Sequence, residues 1–469
     1  MTNIINITIV FVSVITLSTL IFLMLDFPTS ALPQSFAVTF DSIKNISNSK
    51  QDSTTPQIAA SGKNVYVVWK EDYNSIASNH SDISFKRSTD NGASFNNFTT
   101  LSSGGQSYDP QIAVSGKNVY VVWKENDFLY FKMSIDNGAS FSNAIRLSSG
   151  ESEHPKIAVS GKNVYVVWED ANNILYTRST DNGASFEIAT KMTDLLPFTG
   201  LFSKDPQIAV SGKNVYVVWE RIDLNNPLGG HSTIQFKRST DSGASFENTV
   251  DLSSGQREAM NQKIAVSGNN VHVVWEESYG LSEDDTKLFY KRSTDSGASF
   301  SNIFESLFRG AKTLSSTGYS YNPEIAVSGN NVYVVWEEDF EIMYIRSTDN
   351  GASFESMSNL TGQKNSQIIY TAGHQKIAVS GNNVYVVWED NLRDGEGDVY
   401  VKKSFDKGAS FENTFKVSNM DRSDLPQVFA SGSNVYITWI EDCCTWIINN
   451  ITDITNIPKD AEVLFRKGT

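Results

Sequence analysis

The sequence predicts an all-β protein: a β-propeller of eight four-stranded blades, closed by an N-terminal strand and preceded by one hydrophobic N-terminal helix. Three observations carry this. The phrase IAVSGKNVYVVW recurs with small variations from Ile58, Ile112, Ile157, Ile208, Ile264, Ile325, Ile377 and Val428, each copy ending in a tryptophan. Each tryptophan is followed by a short apolar-basic run such as ISFKRS, usually a turn such as STDNGASF, and a further run such as NFTTLSS. No segment beyond the N-terminal stretch has helical periodicity. A unit recurring at a spacing of 45 to 61 residues and holding four short strands is the signature of radially repeated sheets.

Within one unit, QIAVSG reads as strand A, NVYVVW as B, ISFKRS as C and NFTTLSS as D. All four are rich in Val, Ile, Tyr, Phe and Thr, and Ser-Gly-Lys-Asn or Asp-Asn-Gly turns separate them. Strand B is apolar at nearly every position, so both its faces must be covered. Strands A, B and C each occur eight times, the last C being Val463–Lys467, whereas D follows a turn only seven times. The missing D is expected at Phe40–Asn48 (FDSIKNISN), which resembles Phe411–Asn419 (FENTFKVSN). That pairing would close the ring and tie down both ends of a propeller spanning residues 36–469.

The preceding residues, 1–31, are set apart. Ile9 to Leu25 is a run of seventeen uncharged residues, and no Lys or Arg precedes Lys44. This length suits a signal-peptide core or a short membrane anchor, so the propeller is expected to be extracellular or at the cell surface. Sequons at Asn45, Asn79, Asn97, Asn359 and Asn450 are compatible with export. The 38 Lys and Arg against 53 Asp and Glu give a net charge of −15, which repels phosphate backbones and argues against a nucleic-acid partner. The membrane enters as a partner only through an uncleaved N-terminal segment. Charged residues make up only 19% and aromatics 12%, which excludes a disordered chain. The two cysteines, Cys443 and Cys444, are adjacent and can form neither a disulfide framework nor a CxxC metal site.

The turn between strands C and D follows the pattern S-x-D-x-G-x-S-F at Ser88–Phe95 and six further places, with its aspartate at Asp90, Asp136, Asp181, Asp241, Asp295, Asp349 and Asp406. This is similar to the Asp-box, or BNR repeat, and the chain resembles the sialidase-like Asp-box propeller superfamily over about nine-tenths of its length. The resemblance implies that these aspartates are structural. On the residues themselves, the carboxylate can accept backbone N–H groups of its own turn, the glycine allows positive φ and the phenylalanine anchors the turn in the apolar layer. The Arg before several of these turns (Arg87, Arg178, Arg238, Arg292, Arg346) recurs with the repeat and reads as scaffold.

Because strands alternate in direction, the A–B and C–D turns share one face and the B–C and D–A loops the other. The second face carries the length variation, and binding is expected there. Acidic residues open its B–C loops (Glu71, Glu125, Glu169, Glu220, Glu276, Glu337, Glu389 and Glu441 among them). They read as a solvated rim, with a Ca²⁺-binding ring as the alternative. Four of the five histidines, His80, His154, His231 and His374, fall in the same loops, in different blades and without metal-ligand spacing, so no metal site is expected. A fifth, His272, replaces the strand B tyrosine.

By the family resemblance, a sialidase would need three arginines gripping a carboxylate, a Tyr nucleophile paired with Glu and an Asp acid/base. The arginines outside the repeat on the loop face are Arg221, Arg257, Arg393 and Arg422; the tyrosines are Tyr108, Tyr319, Tyr321 and Tyr370. The family's F/Y-R-I-P segment is absent and no Arg precedes Arg87. The expected function is therefore a non-catalytic module binding an extracellular glycan or protein through Arg221, Arg257, Arg393, Arg422, Tyr319, Tyr321, Tyr370 and His374, with no cofactor required. The alternative is an exo-acting glycoside hydrolase of the sialidase type.

Overall fold

The computed structural model describes residues 39–469, except 50, 76–77, 194–199, 226–230, 279–285, 302–310, 317–318, 363–369, 393–396, 420–421 and 442–460, with backbone alone at 74–75, 78–79, 370–371 and 391–392. The hydrophobic segment at residues 1–31, Cys443 and Cys444, and Arg393 lie outside the described residues. No helix among the described residues is long and apolar enough to cross a membrane.

Eight four-stranded antiparallel sheets make up the compact unit Thr39–Thr469. In blade 1 the order is A (Asp52–Ser61), B (Asn64–Ser75), C (Ser78–Ser88) and D (Thr99–Thr100). Each strand A contacts the A strands of the blades before and after it, and blade 8 (Ser423–Ser431) contacts blade 1, so the ring is closed. Closure runs through the N-terminal segment. Lys44 and Asn45 pair with Phe465 and Leu464 of strand C in blade 8 (Glu462–Gly468), Phe40 bridges Gly468, and Phe40 stacks on Phe415 at 4.7 Å. One departure concerns strand D, which the sequence reads as a full strand. Only two residues of it join the ladder in each blade, as Thr99 and Thr100 do opposite Phe85 and Ser84. A short outer strand exposes little unpaired backbone to other chains.

Strand B explains why the blades need one another. Val65, Val67 and Trp69 pack with Tyr436, Val463 and Phe465 of blade 8, while the alternate residues Tyr66 and Val68 pack with Val119, Val121 and Trp123 of blade 2. The two-residue period of the strand thus sends successive side chains into two different interblade layers. All eight repeat tryptophans are buried, and removing one such side chain costs about 3–5 kcal/mol.

The C–D turns lock neighbouring blades. In blade 1, Ser94 N and Oγ donate to Asp90 at 2.9 and 2.6 Å, and Gly92 N donates to Ser88 Oγ at 2.8 Å. Ser88 and Gly92 are the buried members; Asp90 is exposed, and so is Asp241, whose carboxylate is therefore an exposed acceptor. The glycine is obligatory for two reasons. Gly351 has φ +77, and a Cβ there would lie 1.7 Å from Tyr290 Oη of the preceding blade. The turn phenylalanine packs edge-on against that same blade, as Phe354 does on Tyr290. The repeat arginines are scaffold as expected: Arg178 Nη1 donates to Ser242 O at 2.7 Å and Arg346 Nη1 to Lys407 O at 2.9 Å, each in the next turn around the ring.

Candidate functional site at the loop-face mouth of the ring

Strand A carries a β-bulge in every blade, where the register with strand B slips, as between Tyr108 and Gln111. One residue of each bulge has positive φ: Thr55, Asp109, His154, Asp205, Asn261, Asn322, His374 or Leu425. A Pro or Gln follows each of them. Proline in a strand interior marks a bulge or an edge, and this was the readable signal for a ring of special positions.

Two residues further on, Gln is replaced by Lys or Glu in four blades, giving Lys156, Lys263, Glu324 and Lys376. These side chains converge from separate blades. Glu324 Oε1 receives Lys263 Nζ at 3.2 Å and Lys376 Nζ at 2.5 Å. Burial opposes ionisation of Glu324, but the two ammonium groups outweigh it and hold its carboxyl at about 2. Burial lowers Lys156, and so do Lys263 and Lys376, while Asp109 and Asp205 act in its favour. The sequence reading missed this layer because Gln, Lys and Glu look interchangeable within a repeat.

The acidic residues after each tryptophan are not a solvated rim. They lie in the last part of strand B; Glu71, Glu125, Glu220, Glu276, Glu277, Glu338, Glu389 and Glu441 are buried and Glu169 and Glu337 half-buried. Those two positions after Trp accept its indole N–H: Trp123 donates to Glu125 at 3.1 Å, Trp275 to Glu277 at 2.9 Å and Trp336 to Glu338 at 2.6 Å. Some of those one position after Trp reach the bulge of the next blade. Glu169 Oε1 accepts Asp205 N at 2.7 Å, and Glu276 Oε1 accepts Asn322 N at 2.5 Å. Burial pushes Glu276 up to about 7 against the opposing hydrogen bonds of Asn261, and pushes Glu220 to about 7 against the nearby Lys204.

His374 joins this layer. Its Nδ1 lies 2.8 Å from Glu389 Oε2 and 3.0 Å from Asp424 Oδ1, and these two hydrogen bonds push the imidazole up to about 10. His154 repeats the arrangement four blades away, with Nδ1 2.8 Å from Glu169 Oε1, and that bond raises its pKa.

The other residues singled out by sequence are spread around the ring. Arg221 occupies the position two after Trp219 in blade 4, and Trp219 turns to Gln235 instead. Arg257 precedes strand A of blade 5 (Glu258–Ser267), its Nη1 3.8 Å from the buried Glu277. Arg422 precedes strand A of blade 8 with φ 70, four blades from Arg221. Tyr319 is 40% exposed beside blade 6, and Tyr321 stands opposite Glu337 in that blade's ladder. Tyr108 lies under Lys70 Nζ at 4.6 Å. Tyr370 begins strand A of blade 7 (Tyr370–Ser380), its side chain outside the described residues, as is Arg393. The seven turn aspartates lie on the opposite face.

Comparison with known proteins agrees with this architecture. The LVIVD repeat family matches residues 373–392, the strand A–strand B hairpin of blade 7. No curated protein matches the sequence. Among solved structures, the polysaccharide lyase Uly1 is similar with TM-score 0.50 and 9% identity, over 71% of this chain and 86% of that one. A Trypanosoma rangeli sialidase mutant with trans-sialidase activity aligns with TM-score 0.38 and 12% identity, over 69% of this chain and 55% of that one. An α-L-arabinanase from Penicillium chrysogenum aligns with TM-score 0.40 and 11% identity, over 64% and 94%. At 9% identity the likeness to the lyase is one of fold alone, and the chain's own sheets make it an eight-bladed propeller of four-stranded sheets.

Proposed function

We propose that this chain is an exported or membrane-anchored Asp-box propeller that binds an extracellular glycan or protein on its loop face without catalysing a reaction. One observation carries the reading. Among the described loop-face arginines, Arg221 and Arg422 stand four blades apart, and Arg257 sits beside Glu277. Separated arginines suit contacts spread over an extended ligand better than a shared grip on one carboxylate, which needs convergent bidentate geometry. Polar side chains converge instead at the mouth of the ring, where His374, Glu389, Lys263, Glu324 and Lys376 are held by partners from adjacent blades. Rigid, mutually paired polar groups on a variable face suit recognition.

A glycan is the first ligand to test, since propellers of this fold include a polysaccharide lyase. The second reading, an exo-acting glycoside hydrolase of the sialidase type, is favoured by Tyr321 facing Glu337 across the ladder, a Tyr–Glu pair such as that chemistry uses. Purified residues 36–469 are to be incubated with a fluorogenic sialoside and applied to a glycan array. Array binding without turnover is the expected result. Turnover that disappears on Tyr321→Phe establishes the glycosidase instead, and absence of array binding directs the search to a protein ligand.

A further inference from the structure

Two histidines occupy the same repeat position four blades apart, and each faces two carboxylates. His154 meets Glu169 of its own blade and Asp205 of the next; His374 meets Glu389 of its own blade and Asp424 of the next. We propose that these trios are two divalent transition-metal sites of the zinc class, each bridging the seam between adjacent blades.

Geometry supports this first. In each trio one atom from every residue lies within 4.8 Å of the others. The His374 Nδ1 separations of 2.8 and 3.0 Å from its two carboxylates are close to the roughly 3.0–3.4 Å between ligands that each sit about 2.1 Å from one zinc ion. Donor chemistry points the same way: one imidazole nitrogen with two carboxylate oxygens suits zinc better than the all-oxygen shells of calcium. The supporting contacts also fit. Glu169 Oε1 is fixed by the backbone N–H of Asp205 at 2.7 Å, and oriented carboxylates are what a preformed metal site needs.

The strongest support is an internal contrast. Blade 5 has the same glutamate, Glu276, but Asn261 at the histidine position and Asn322 from the next blade. Asn261 Nδ2 donates to both carboxylate oxygens at 3.0 and 3.1 Å, and Asn322 N adds a third bond. That glutamate is satisfied by neutral donors. In blades 3 and 7 the amide is replaced by a ligating ring and the next blade brings a second carboxylate. In the His374 trio one imidazole is left facing two negative charges, which a divalent ion balances; in the His154 trio Lys156 also bears on Asp205.

The test is equilibrium dialysis of the full chain against Zn²⁺, with Ca²⁺ in a parallel arm. Asparagine already occupies this position with positive φ at Asn261 and Asn322, so His154→Asn and His374→Asn are expected to fold, which thermal melting checks. The wild type should retain two zinc ions, either single variant one, and the double variant none. Glu389→Gln, which keeps the imidazole, should also remove one ion. Undiminished zinc in the double variant, no zinc retained by the wild type, or equal uptake of Ca²⁺ at the same sites would each overturn the assignment.

Discussion

The two faces of the ring use carboxylates in opposite ways. On the turn face, Asp90 and most of its counterparts are exposed, each is bonded by the serines of its own turn, and those bonds hold Asp90 at about 2. On the loop face, Glu220 and Glu276 are buried, and burial lifts both to about 7. The difference lies in where the partners come from. A turn aspartate takes its hydrogen bonds from residues two to four positions away, so each turn is complete in itself. A loop-face glutamate takes them from more distant positions of its own blade, from the bulge of the next one, or from both, as Glu276 does from Asn261 and Asn322, so its environment changes when strand A or a neighbour diverges. Uniform turns define the scaffold; the mouth of the ring is where blades acquire individual character.

Breaking the turn face at its most crowded point should give the largest effect. Gly351→Ala places a methyl against Tyr290 at a positive φ, and a loss of about 2–5 kcal/mol is expected in denaturant unfolding. Next is Glu338→Ala, which strands the buried Trp336 indole N–H and removes the acceptor for Ser316 Oγ at 2.5 Å. It should cost about 1–3 kcal/mol and leave zinc stoichiometry unchanged.

A pH titration sharpens the contrast further. Glu220 and Glu276 have folded pKa values above their unfolded ones, so the stability they contribute is full below about 4.5 and is lost as pH rises through about 7. The turn aspartates run the other way: their contribution is present above about 4 and is lost as pH falls toward about 2. Glu276→Gln should flatten the loss between pH 4.5 and 7 without touching the acid limb, read from thermal melts across pH. The smallest effect is Asp241→Ala, where an exposed acceptor is lost and about 0.5–1.5 kcal/mol is expected.

Much of this was legible in the sequence. Eight repeats, a seven-fold turn and the unmatched strand at Phe40–Asn48 specify a closed ring, because each pattern follows from short-range chemistry. The shortened strand D was not legible, since its residues have strand propensity but pair at a sheet edge where propensity decides little. Burial of Glu125 and Glu338 was hidden because their partner, the tryptophan two residues earlier, looks like core alone. Lys156, Lys263, Glu324 and Lys376 escaped notice because successive members lie 52 to 107 residues apart in sequence and only the packing of one blade on another brings Lys263, Glu324 and Lys376 together. His374 and Glu389 were each singled out, but not as a pair, and Asp424, which completes the cluster, was missed because it comes from the adjacent blade.

The central claim is that recognition belongs to the loop face and the Asp-turns are scaffold. The most direct measurement is glycan-array binding by the folded fraction of two variants prepared in parallel, Arg221→Ala on the loop face and Asp241→Ala in a turn. The account predicts that Arg221→Ala weakens binding while its melting temperature stays near that of the wild type, and that Asp241→Ala lowers the melting temperature while binding per folded molecule is retained. Loss of binding in Asp241→Ala at unchanged stability would contradict it.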